Sequence, residues 1–168
     1  MTMSTTEAAA HMAFLAGLPH QRVLVTAGGS GIGLSIATLL RDLGARVAIC
    51  DISQEAIASA GSKLDGILTL VTDVSDDQSV AKLFGKLAEA WNGLDALINN
   101  AGIAGPTGGI EDISPADWRR CIDICLTGQF LCARSAVPML KAAGKGSIVN
   151  MSSAAGRHGY AFRTPYAA

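Results

Sequence analysis

Charge is scarce in this sequence, and that scarcity excludes several classes of protein. Charged residues make up only 16% of the 168 residues, the net charge is −1, and no basic run occurs. Nothing therefore favours binding to nucleic acid or to an anionic membrane surface. No apolar stretch reaches the roughly 18–20 residues of a membrane span, and the first 20 residues lack the features of a secretory signal. We expect a soluble, cytoplasmic protein.

Potential metal ligands are also few. The sequence has only four cysteines and three histidines, and their spacing matches no zinc motif. Cys121 and Cys125 are four residues apart on a predicted helix, and Cys132 follows, so all three are expected near one helix face. We interpret these three and Cys50 as small buried side chains in a reduced compartment. The sequence predicts no metal site.

Apolar residues, in contrast, make up 49% of the sequence, enough for a well-buried core in one domain of this length. Strand-length runs rich in Val, Ile and Leu alternate with segments of helical spacing. The predicted strands are Val23–Thr26, Arg46–Cys50, Leu68–Thr72, Ala96–Ile98 and Ser147–Met151. Continuous apolar strands joined by helices indicate a parallel sheet covered on both faces. The predicted fold class is therefore α/β, with a doubly wound parallel sheet.

The segments between the strands carry helix-boundary residues. The predicted helices are Leu34–Leu43, Ser53–Lys63, Asp76–Trp91 and Ser114–Ala142. Gly44 is expected to close the first helix in the left-handed conformation. The run Ser-Pro-Ala-Asp at 114–117 combines an N-cap, a proline at the first helical position and an acid at the third. The fourth helix is thus predicted to be continuous from this cap to Ala142.

The glycine-rich turn after the first strand is the most informative feature of the chain. Residues 23–33 read Val-Leu-Val-Thr-Ala-Gly-Gly-Ser-Gly-Ile-Gly, and a helix follows at once. Glycines let the backbone approach a ligand closely. A helix N-terminus behind them offers free N–H groups and the positive end of the helix dipole. Strand, glycine turn and helix together predict a pyrophosphate site.

Asp51 indicates which nucleotide occupies that site. It ends the second predicted strand, 20 residues after Gly31. At that spacing a carboxylate reaches the ribose hydroxyls of an adenine nucleotide and repels a 2′-phosphate. Position 30 is Ser and the turn holds no Arg or Lys, so the sequence favours NAD over NADP. The alternative interpretation of Asp51 is a solvated carboxylate at a strand end.

Two later strand ends carry further candidates. Asp73 and Val74 follow the third strand and either contact adenine or lead into the next helix. The run Asn-Asn-Ala-Gly at 99–102 ends the fourth strand at the carboxyl edge, where open α/β sheets bind ligands. Its alternative interpretation is a simple strand-ending turn, because Asn and Gly both favour turns.

Taken together, these motifs resemble those of the short-chain dehydrogenase/reductase family. The turn Thr26–Gly33 is similar to the family's Thr-Gly-x-x-x-Gly-x-Gly, and Asn-Asn-Ala-Gly at 99–102 is similar to a second family motif. Ser153 and Tyr166 are thirteen residues apart, the spacing of the family's catalytic serine and tyrosine. The matches occur in the family's order over nearly the whole chain, from about Arg22 to Ala168. The chain is thereby identified as a member, with a Rossmann-type fold.

The resemblance implies an oxidoreductase that transfers a hydride between NAD and a secondary alcohol or ketone. Tyr166 is the expected acid/base, and Ser153 is expected to hold the substrate oxygen. The residues expected to bind NAD are Thr26, Gly28, Ser30, Gly31, Ile32, Gly33, Asp51, Asp73, Val74, Asn100, Ala101 and Gly102. The segment holding His158, Tyr160, Phe162 and Arg163 is expected either to form one wall of the substrate pocket or to pack on a neighbouring subunit. The resemblance also implies a homodimer or homotetramer.

Three positions depart from the family pattern. Ala27 replaces the first glycine of the turn, at a cost of about 1 kcal/mol if a positive φ is required there. Cys125 replaces an asparagine that helps to hold a water in the family's proton relay, and a thiol hydrogen-bonds poorly. The family's lysine, four residues after the tyrosine, would fall at position 170, beyond Ala168.

These departures shape the expected domain organisation. We expect residues 1–20 to be an N-terminal extension and residues 21–168 to be an NAD-binding domain that stops before the lysine. We also expect the chain to be part of a longer polypeptide, without the family's C-terminal strands and helices and inactive by itself. Two functions stay open. The spacing of Ser153 and Tyr166 favours a dehydrogenase, whereas Cys125 and the missing lysine favour a non-catalytic NAD-binding module or inactive fragment.

Overall fold

The structure, a computed structural model, describes residues 18–168. Its centre is a parallel sheet of five strands in the order β3-β2-β1-β4-β5. The strands are β1 (Arg22–Thr26), β2 (Arg46–Asp51), β3 (Leu68–Val71), β4 (Ala96–Asn99) and β5 (Ser147–Asn150). Each predicted strand is found to within one residue at either end. The predicted N-terminal extension lies outside the described residues as far as residue 17.

The first five helices lie between the strands in sequence, on both faces of the sheet, and the last two follow β5. The helices are α1 (Gly31–Asp42), α2 (Gln54–Lys63), α3 (Asp77–Trp91), α4 (Pro115–Ile122), α5 (Gly128–Ala142), α6 (Ala155–His158) and α7 (Thr164–Ala167). A 3₁₀ turn at Ile110–Asp112 precedes α4. Within residues 18–168, none of these helices is long and apolar enough to cross a bilayer.

Two helix predictions were wrong in detail. The first helix begins at Gly31 rather than Leu34, because Ser30 is extended (φ −155°) and its carbonyl already accepts the Leu34 N–H at 3.0 Å. The predicted fourth helix is not one regular helix. A π-helical segment, Asp123–Thr127, separates α4 from α5, and hydrophobic spacing does not reveal one extra residue per turn. The predicted ends are confirmed, since Ser114 caps α4 and Gly44 has φ +88°.

Two hydrophobic cores cover the two faces of the sheet. Val23 and Val25 of β1 point into the core shared with α1 and α2, whereas Leu24 points into the core shared with α3 and α5. The same alternation continues in β2, which is buried on both faces. This arrangement confirms the doubly wound α/β class. β5 differs, because all four of its residues are exposed.

The amino ends of the strands are closed by an ion pair. The Arg22 guanidinium donates from Nε to Asp95 Oδ2 at 2.8 Å and from Nη2 to Asp95 Oδ1 at 2.9 Å. Its Nη1 donates to the carbonyls of Trp91 and Asn92 at the end of α3, each at 3.3 Å. The hydrogen bond from Arg22 lowers the pKa of Asp95 below its ordinary value. One side chain thus joins β1, α3 and the start of β4.

Candidate active site

The carboxyl ends of β1 and β4 meet at the point where the order of the strands reverses. A reciprocal set of hydrogen bonds joins them. Thr26 Oγ1 accepts the N–H groups of Asn100 at 2.9 Å and Ala101 at 3.0 Å. Asn100 Nδ2 donates to the carbonyls of Thr26 at 3.0 Å and Ala27 at 3.2 Å. Thr26 is buried, so its side chain holds the two strand ends together instead of facing the cavity beside them.

The glycine turn packs so closely that three of its positions have no room for a side chain. A Cβ at Gly28 would lie 2.6 Å from Ile49, and one at Gly29 would lie 2.8 Å from Ala56. A Cβ at Gly33 would collide with the Ala27 carbonyl oxygen and lie 2.6 Å from Asn100 Nδ2. These contacts press the turn against β2, α2 and the end of β4, and leave the N-terminus of α1 uncovered.

Ala27 has a strained, left-handed backbone conformation, the case for which the sequence analysis expected a cost. Its φ is +48°, a region that L-residues other than Asn and Asp rarely occupy. The turn therefore does require a positive φ at the position where the family has glycine. The tight packing of Gly33 on the Ala27 carbonyl shows why the turn cannot relax there.

The N-terminus of α1 presents free donors. Ser30 is its N-cap residue, but the Ser30 side chain makes no capping hydrogen bond. Among the described residues, no acceptor is found for the N–H groups of Gly31, Ile32 and Gly33. Gly31 has φ +51° with open space around it, and Ile32 is 64% exposed. Such an end, with its positive dipole, suits an anionic group.

Asp51 lies beside this turn at the end of β2. Its Oδ2 accepts the Gly29 N–H at 3.2 Å, and its Oδ1 accepts the Ser53 N–H at 3.0 Å. Because each carboxylate oxygen has a second lone pair, both can accept a further hydrogen bond. The side chain is half-buried and fixed in direction. The structure thus brings Asp51 next to the glycine turn, as the sequence predicts.

The side chains of Asp73 and Val74 are engaged in local turn and core contacts. Asp73 Oδ1 accepts both the N–H and the hydroxyl of Ser75, at 2.9 and 2.6 Å, so its carboxylate closes the turn before α3. The N-cap of that helix is Asp76. The Val74 side chain is buried in the core against Gly128. Only the backbone of Val74 could contact a ligand here.

A cavity of about 490 Å³ brings the remaining predicted residues together. Ile32 at the start of α1 lines it together with Asn100, Ala101 and Gly102 after β4, and Ser153 and Tyr166 line it from the segment after β5. Sequence reasoning did not predict several other lining residues, which are Ile103, Ala104, Ile122, Leu126, Gln129, Asn150 and Met151. No Asp, Glu, Lys or Arg side chain is among the described lining residues.

Ser153 lies between β5 and α6, and Tyr166 lies in the short helix α7. Ser153 Oγ accepts the Ala155 N–H at 3.2 Å at the start of α6, which leaves the hydroxyl hydrogen free to donate. Tyr166 lies in α7, and its N–H donates to the Arg163 carbonyl at 3.0 Å. Met151, two residues before Ser153, is held by Gln129 Nε2, which donates to its carbonyl at 3.2 Å. The segments after β4 and β5 therefore converge on one space with residues of α5, α6 and α7.

Cys125 contacts the backbone of Ile103 in this cavity. The Ile103 N–H donates to Cys125 Sγ at 3.3 Å, and the same thiol donates to the Ile103 carbonyl at 3.4 Å. Cys121 Sγ lies 3.8 Å from that carbonyl. Burial raises the pKa of the Cys121 thiol to about 11, so it is a protonated donor at neutral pH. Cys132 instead lies in the sheet core, so the three cysteines do not share one environment.

The segment between Ser153 and Tyr166 lines the cavity with Gly156 and Pro165, and not with the four side chains expected in a pocket wall or on a neighbouring subunit. His158, Tyr160, Phe162 and Arg163 are absent from the cavity lining, and the first three are exposed. Their side chains leave the cavity because α6 ends at Gly159 (φ +73°) and Phe162 has φ +61°. The glycine at position 159 is a local signal for the first turn, whereas nothing in the local sequence indicates the second, at Phe162.

A doubly wound parallel sheet with a glycine turn at its switch point defines the class of dinucleotide-binding domains. The family described as short chain dehydrogenase matches residues 21–168. The chain therefore belongs to the short-chain dehydrogenase family, as its motifs predict.

Curated relatives agree with this membership. The chain is 42% identical over 148 residues to cis-4-hydroxycyclohexanecarboxylate dehydrogenase of Sinomonas cyclohexanicum. It is 34% identical over 152 residues to levodione reductase of Leifsonia aquatica. The two alignments cover 86% and 87% of this chain, but only 59% and 57% of the relatives. The chain thus spans less than two thirds of the length of these proteins.

Solved structures show the same fold. A levodione reductase structure superposes with a TM-score of 0.85 at 31% identity, covering 89% of this chain and 60% of that one. An NAD⁺-bound xylitol dehydrogenase gives 0.84 at 27% identity, covering 89% and 59%.

Proposed function

We propose that the protein carrying this chain is an NAD-dependent oxidoreductase that interconverts a secondary alcohol and its ketone. One observation carries the proposal. A single cavity is lined by Asn100–Gly102 at the switch point and by Ser153 and Tyr166 after β5. A site for hydride transfer needs a cofactor side and a proton-transfer side facing the same space, and this cavity supplies both.

The residues at the switch point fit a dinucleotide. The free N–H groups of α1 suit its pyrophosphate. The Asp51 carboxylate, held by Gly29 and Ser53, suits ribose hydroxyls and opposes a 2′-phosphate. When bound, the nicotinamide ring supplies the hydride donor or acceptor. Among the relatives, 2-dehydro-3-deoxy-L-rhamnonate dehydrogenase of Sphingomonas carries NAD(+) in its name, and the xylitol dehydrogenase structure holds NAD⁺.

Ser153 and Tyr166 have different roles at the substrate oxygen. In the proposed oxidation, Ser153 donates its free hydroxyl hydrogen to that oxygen and fixes its position. Tyr166 takes the proton of the alcohol as the ketone forms, and it returns a proton in the reverse direction.

The cavity favours a substrate with an uncharged ring beside the reacting carbon. Its side chains include Ile103, Ile122, Leu126 and Met151, without a charged group among the described lining residues. Apolar lining with a few polar groups binds apolar bodies and orients them by their hydroxyl or carbonyl. The two hydroxycyclohexanecarboxylate dehydrogenases, whose names contain a cyclohexane ring, support this substrate class.

The test is cofactor reduction with a panel of cyclic and acyclic secondary alcohols. We expect turnover with NAD and a cyclohexanol derivative. Tyr166→Phe and Ser153→Ala should each lower kcat/KM by about 10²–10⁴-fold, the usual worth of a positioned acid/base or oxygen-holding group. Tyr160→Phe is the matched control, because Tyr160 is exposed and lies outside the cavity lining.

The outcomes separate the two functions that the sequence leaves open. Turnover that depends on Tyr166 and Ser153 supports the oxidoreductase. NADH binding, measured by fluorescence, without turnover of any alcohol in the panel would instead support a non-catalytic NAD-binding module. Cys125, which replaces the family's asparagine, is the observation in favour of that second function.

The cofactor preference has a separate test. Asp51→Asn removes the charge that opposes a 2′-phosphate and weakens two charge-assisted hydrogen bonds. The KM for NAD should rise about tenfold, the equivalent of one such bond, and the preference over NADP should shrink further. Asp65→Asn, at an exposed loop position, should leave both unchanged. An unchanged preference in Asp51→Asn would contradict the assignment of Asp51.

A further inference from the structure

One side of the cavity is a loop that has almost no backbone hydrogen bonding of its own. We call Gly102–Gly105 the wall loop; Gly102, Ile103 and Ala104 all line the cavity. Among the described residues, none of its N–H or carbonyl groups pairs with another backbone group. Buried or half-buried backbone groups need partners, so side chains from elsewhere must set the position of this loop.

Those side chains come from two directions. On one side, the thiols of Cys121 and Cys125 contact the Ile103 peptide. On the other side, Arg163 Nη1 donates to the Ala104 carbonyl at 3.2 Å and to the Gly105 carbonyl at 2.9 Å. Sulfur is a weak donor and acceptor, whereas a guanidinium forms strong, charge-assisted hydrogen bonds. Arg163 is therefore the stronger of the two attachments.

The backbone around Arg163 is shaped for this contact. Phe162 has φ +61° although it is bulky, and its carbonyl accepts the Gly108 N–H at 3.0 Å, beyond the wall loop. Gly105 has φ +63°, and a Cβ there would lie 3.2 Å from Cys121 Sγ. An unfavourable φ at a phenylalanine persists only when the surrounding contacts impose it. Here the contacts on both sides of the wall loop impose it.

Arg163 also begins the element that carries the proposed acid/base. It is the N-cap residue of α7, and its carbonyl accepts the N–H groups of Tyr166 and Ala167, each at 3.0 Å. Within residues 18–168 its guanidinium makes no ion pair with a carboxylate. One residue thus holds the wall loop with its side chain and the start of α7 with its backbone.

We propose that Arg163 is a positioning residue that sets the separation between the wall loop and Tyr166. The wall loop continues from Asn100 and Ala101, which line the cofactor side of the cavity. The distance across the cavity therefore decides how a substrate meets both the cofactor and the phenol. The catalytic consequence rests on the proposed function, whereas the structural tie does not. Small errors of placement cost reactions heavily, about 10²-fold for a displacement of 1 Å.

The first experiment measures the tie without any need for activity. Amide hydrogen exchange of Ile103, the wall-loop residue whose N–H donates to Cys125 Sγ, is compared in the wild-type protein, in Arg163→Ala and in Arg157→Ala. Arg157 is the matched control, an exposed cation in α6 whose guanidinium has no hydrogen-bond partner among the described residues. We expect Arg163→Ala to accelerate exchange of the Ile103 amide about tenfold or more, and Arg157→Ala to leave it unchanged. Equal exchange in the two variants overturns the proposal.

The second experiment separates positioning from general stability. For a cyclic alcohol, kcat should fall about 10- to 100-fold in Arg163→Ala, while the Kd for NADH changes less than about twofold. Arg163→Lys, which keeps the charge and one donor, should recover part of kcat. Loss of NADH affinity in parallel with kcat would contradict a positioning role.

Two further outcomes are informative. If the wild-type protein turns over no alcohol, the proposed function fails, and the exchange measurement alone decides whether Arg163 holds the loop. If Arg163→Ala does not fold, Arg163→Gln takes its place, because glutamine is shorter and uncharged. Wall-loop exchange at the wild-type rate in Arg163→Gln then overturns the proposal.

Discussion

The two ends of the strands, here called the amino edge and the carboxyl edge of the sheet, are built in opposite ways. At the amino edge, Arg22 and Asp95 form a two-pronged ion pair that also binds the end of α3. At the carboxyl edge, the chain turns through glycines, a strained alanine and a loop held by two thiols and one arginine. The first edge uses strong bonds between well-packed elements. The second leaves donors free and a cavity open.

This difference separates stability from function. The ion pair at the amino edge lies at the opposite end of the strands from the proposed cofactor site. The carboxyl edge must keep the N–H groups of α1 uncovered and a cavity between β4 and α7, so it forgoes contacts that would fill that space. Changes at the amino edge should therefore alter the free energy of unfolding and not the affinity for NADH. Most changes at the carboxyl edge should alter the affinity for NADH more than the free energy of unfolding.

Gly33→Ala should have the largest effect and, like Ala27→Gly below, departs from this separation because it changes the packing of the turn itself. Its Cβ would meet the Ala27 carbonyl and Asn100 Nδ2, and a backbone carbonyl cannot move aside without shifting the whole turn. We expect a loss of about 3 kcal/mol or more in the free energy of unfolding, at the upper end of overpacking costs. NADH affinity should fall as well. Urea unfolding and NADH fluorescence measure the two effects.

Gly85→Ala is the control for that substitution. Gly85 lies in α3 with open space around the added Cβ, so the same change should stabilise the protein by about 0.5–1 kcal/mol through helix propensity. A destabilised Gly85→Ala, or a Gly33→Ala variant of unchanged stability, would contradict this account of the turn.

Asp95→Asn should have the next largest effect, on stability alone. It replaces charge-assisted hydrogen bonds with Arg22 by weaker ones, at a cost of about 2 kcal/mol in the free energy of unfolding. The Kd for NADH should not change, because the ion pair lies at the opposite edge from the glycine turn. Asp65→Asn, at an exposed position, is the control. A weaker NADH complex in Asp95→Asn would show that the edges are coupled.

The same ion pair predicts a pH dependence. Because Arg22 lowers the pKa of Asp95 in the folded protein, the pair's contribution is complete above the ordinary carboxyl pKa of the unfolded chain. It is lost as the pH falls through the lower, folded value. Wild-type stability should therefore fall on acidification more steeply than that of Asp95→Asn. Parallel pH profiles in the two proteins would argue against the pair.

Ala27→Gly should have the smallest effect and the opposite sign. Relief of the left-handed φ gains roughly 1–2 kcal/mol, and the greater freedom of glycine in the unfolded chain cancels roughly 0.5–1 kcal/mol of it. A net stabilisation of about 0.5 kcal/mol should remain, with NADH affinity unchanged. Ala88→Gly, in the exposed part of α3, should instead destabilise by about 1 kcal/mol. Equal signs for the two variants would contradict the strain at Ala27.

The sequence was a good guide wherever structure depends on neighbours along the chain. Alternating apolar runs located all five strands to within one residue, and Ser114, Asp76 and Gly44 marked helix ends that the structure confirms. Patterns of this kind succeed because caps and strand burial are set by residues close in sequence. The same reasoning brought Asp51 to the glycine turn, since the ends of adjacent parallel strands meet at one edge.

It was a poor guide where distant segments decide. It did not show that the side chains of Thr26 and Val74, both predicted to bind the cofactor, are buried against Asn100 and Gly128, respectively. Cofactor binding by their backbone groups stays a prediction. Arg163 was expected in a pocket wall or on a subunit neighbour, but its guanidinium binds two carbonyls 58 and 59 residues earlier in the chain. Nothing within a few residues of these positions signals such partners.

The sequence by itself therefore determined the class of fold, the family and the position of the glycine turn between the first strand and the first helix. These depend on local spacing and on the order of strands and helices. Only the tertiary structure decided that Ala27 is strained, that one cavity joins Asn100–Gly102 to Ser153 and Tyr166, and that Cys125 and Arg163 hold the loop between them. Those features arise from contacts between segments far apart in the chain, and packing in three dimensions alone brings such segments together.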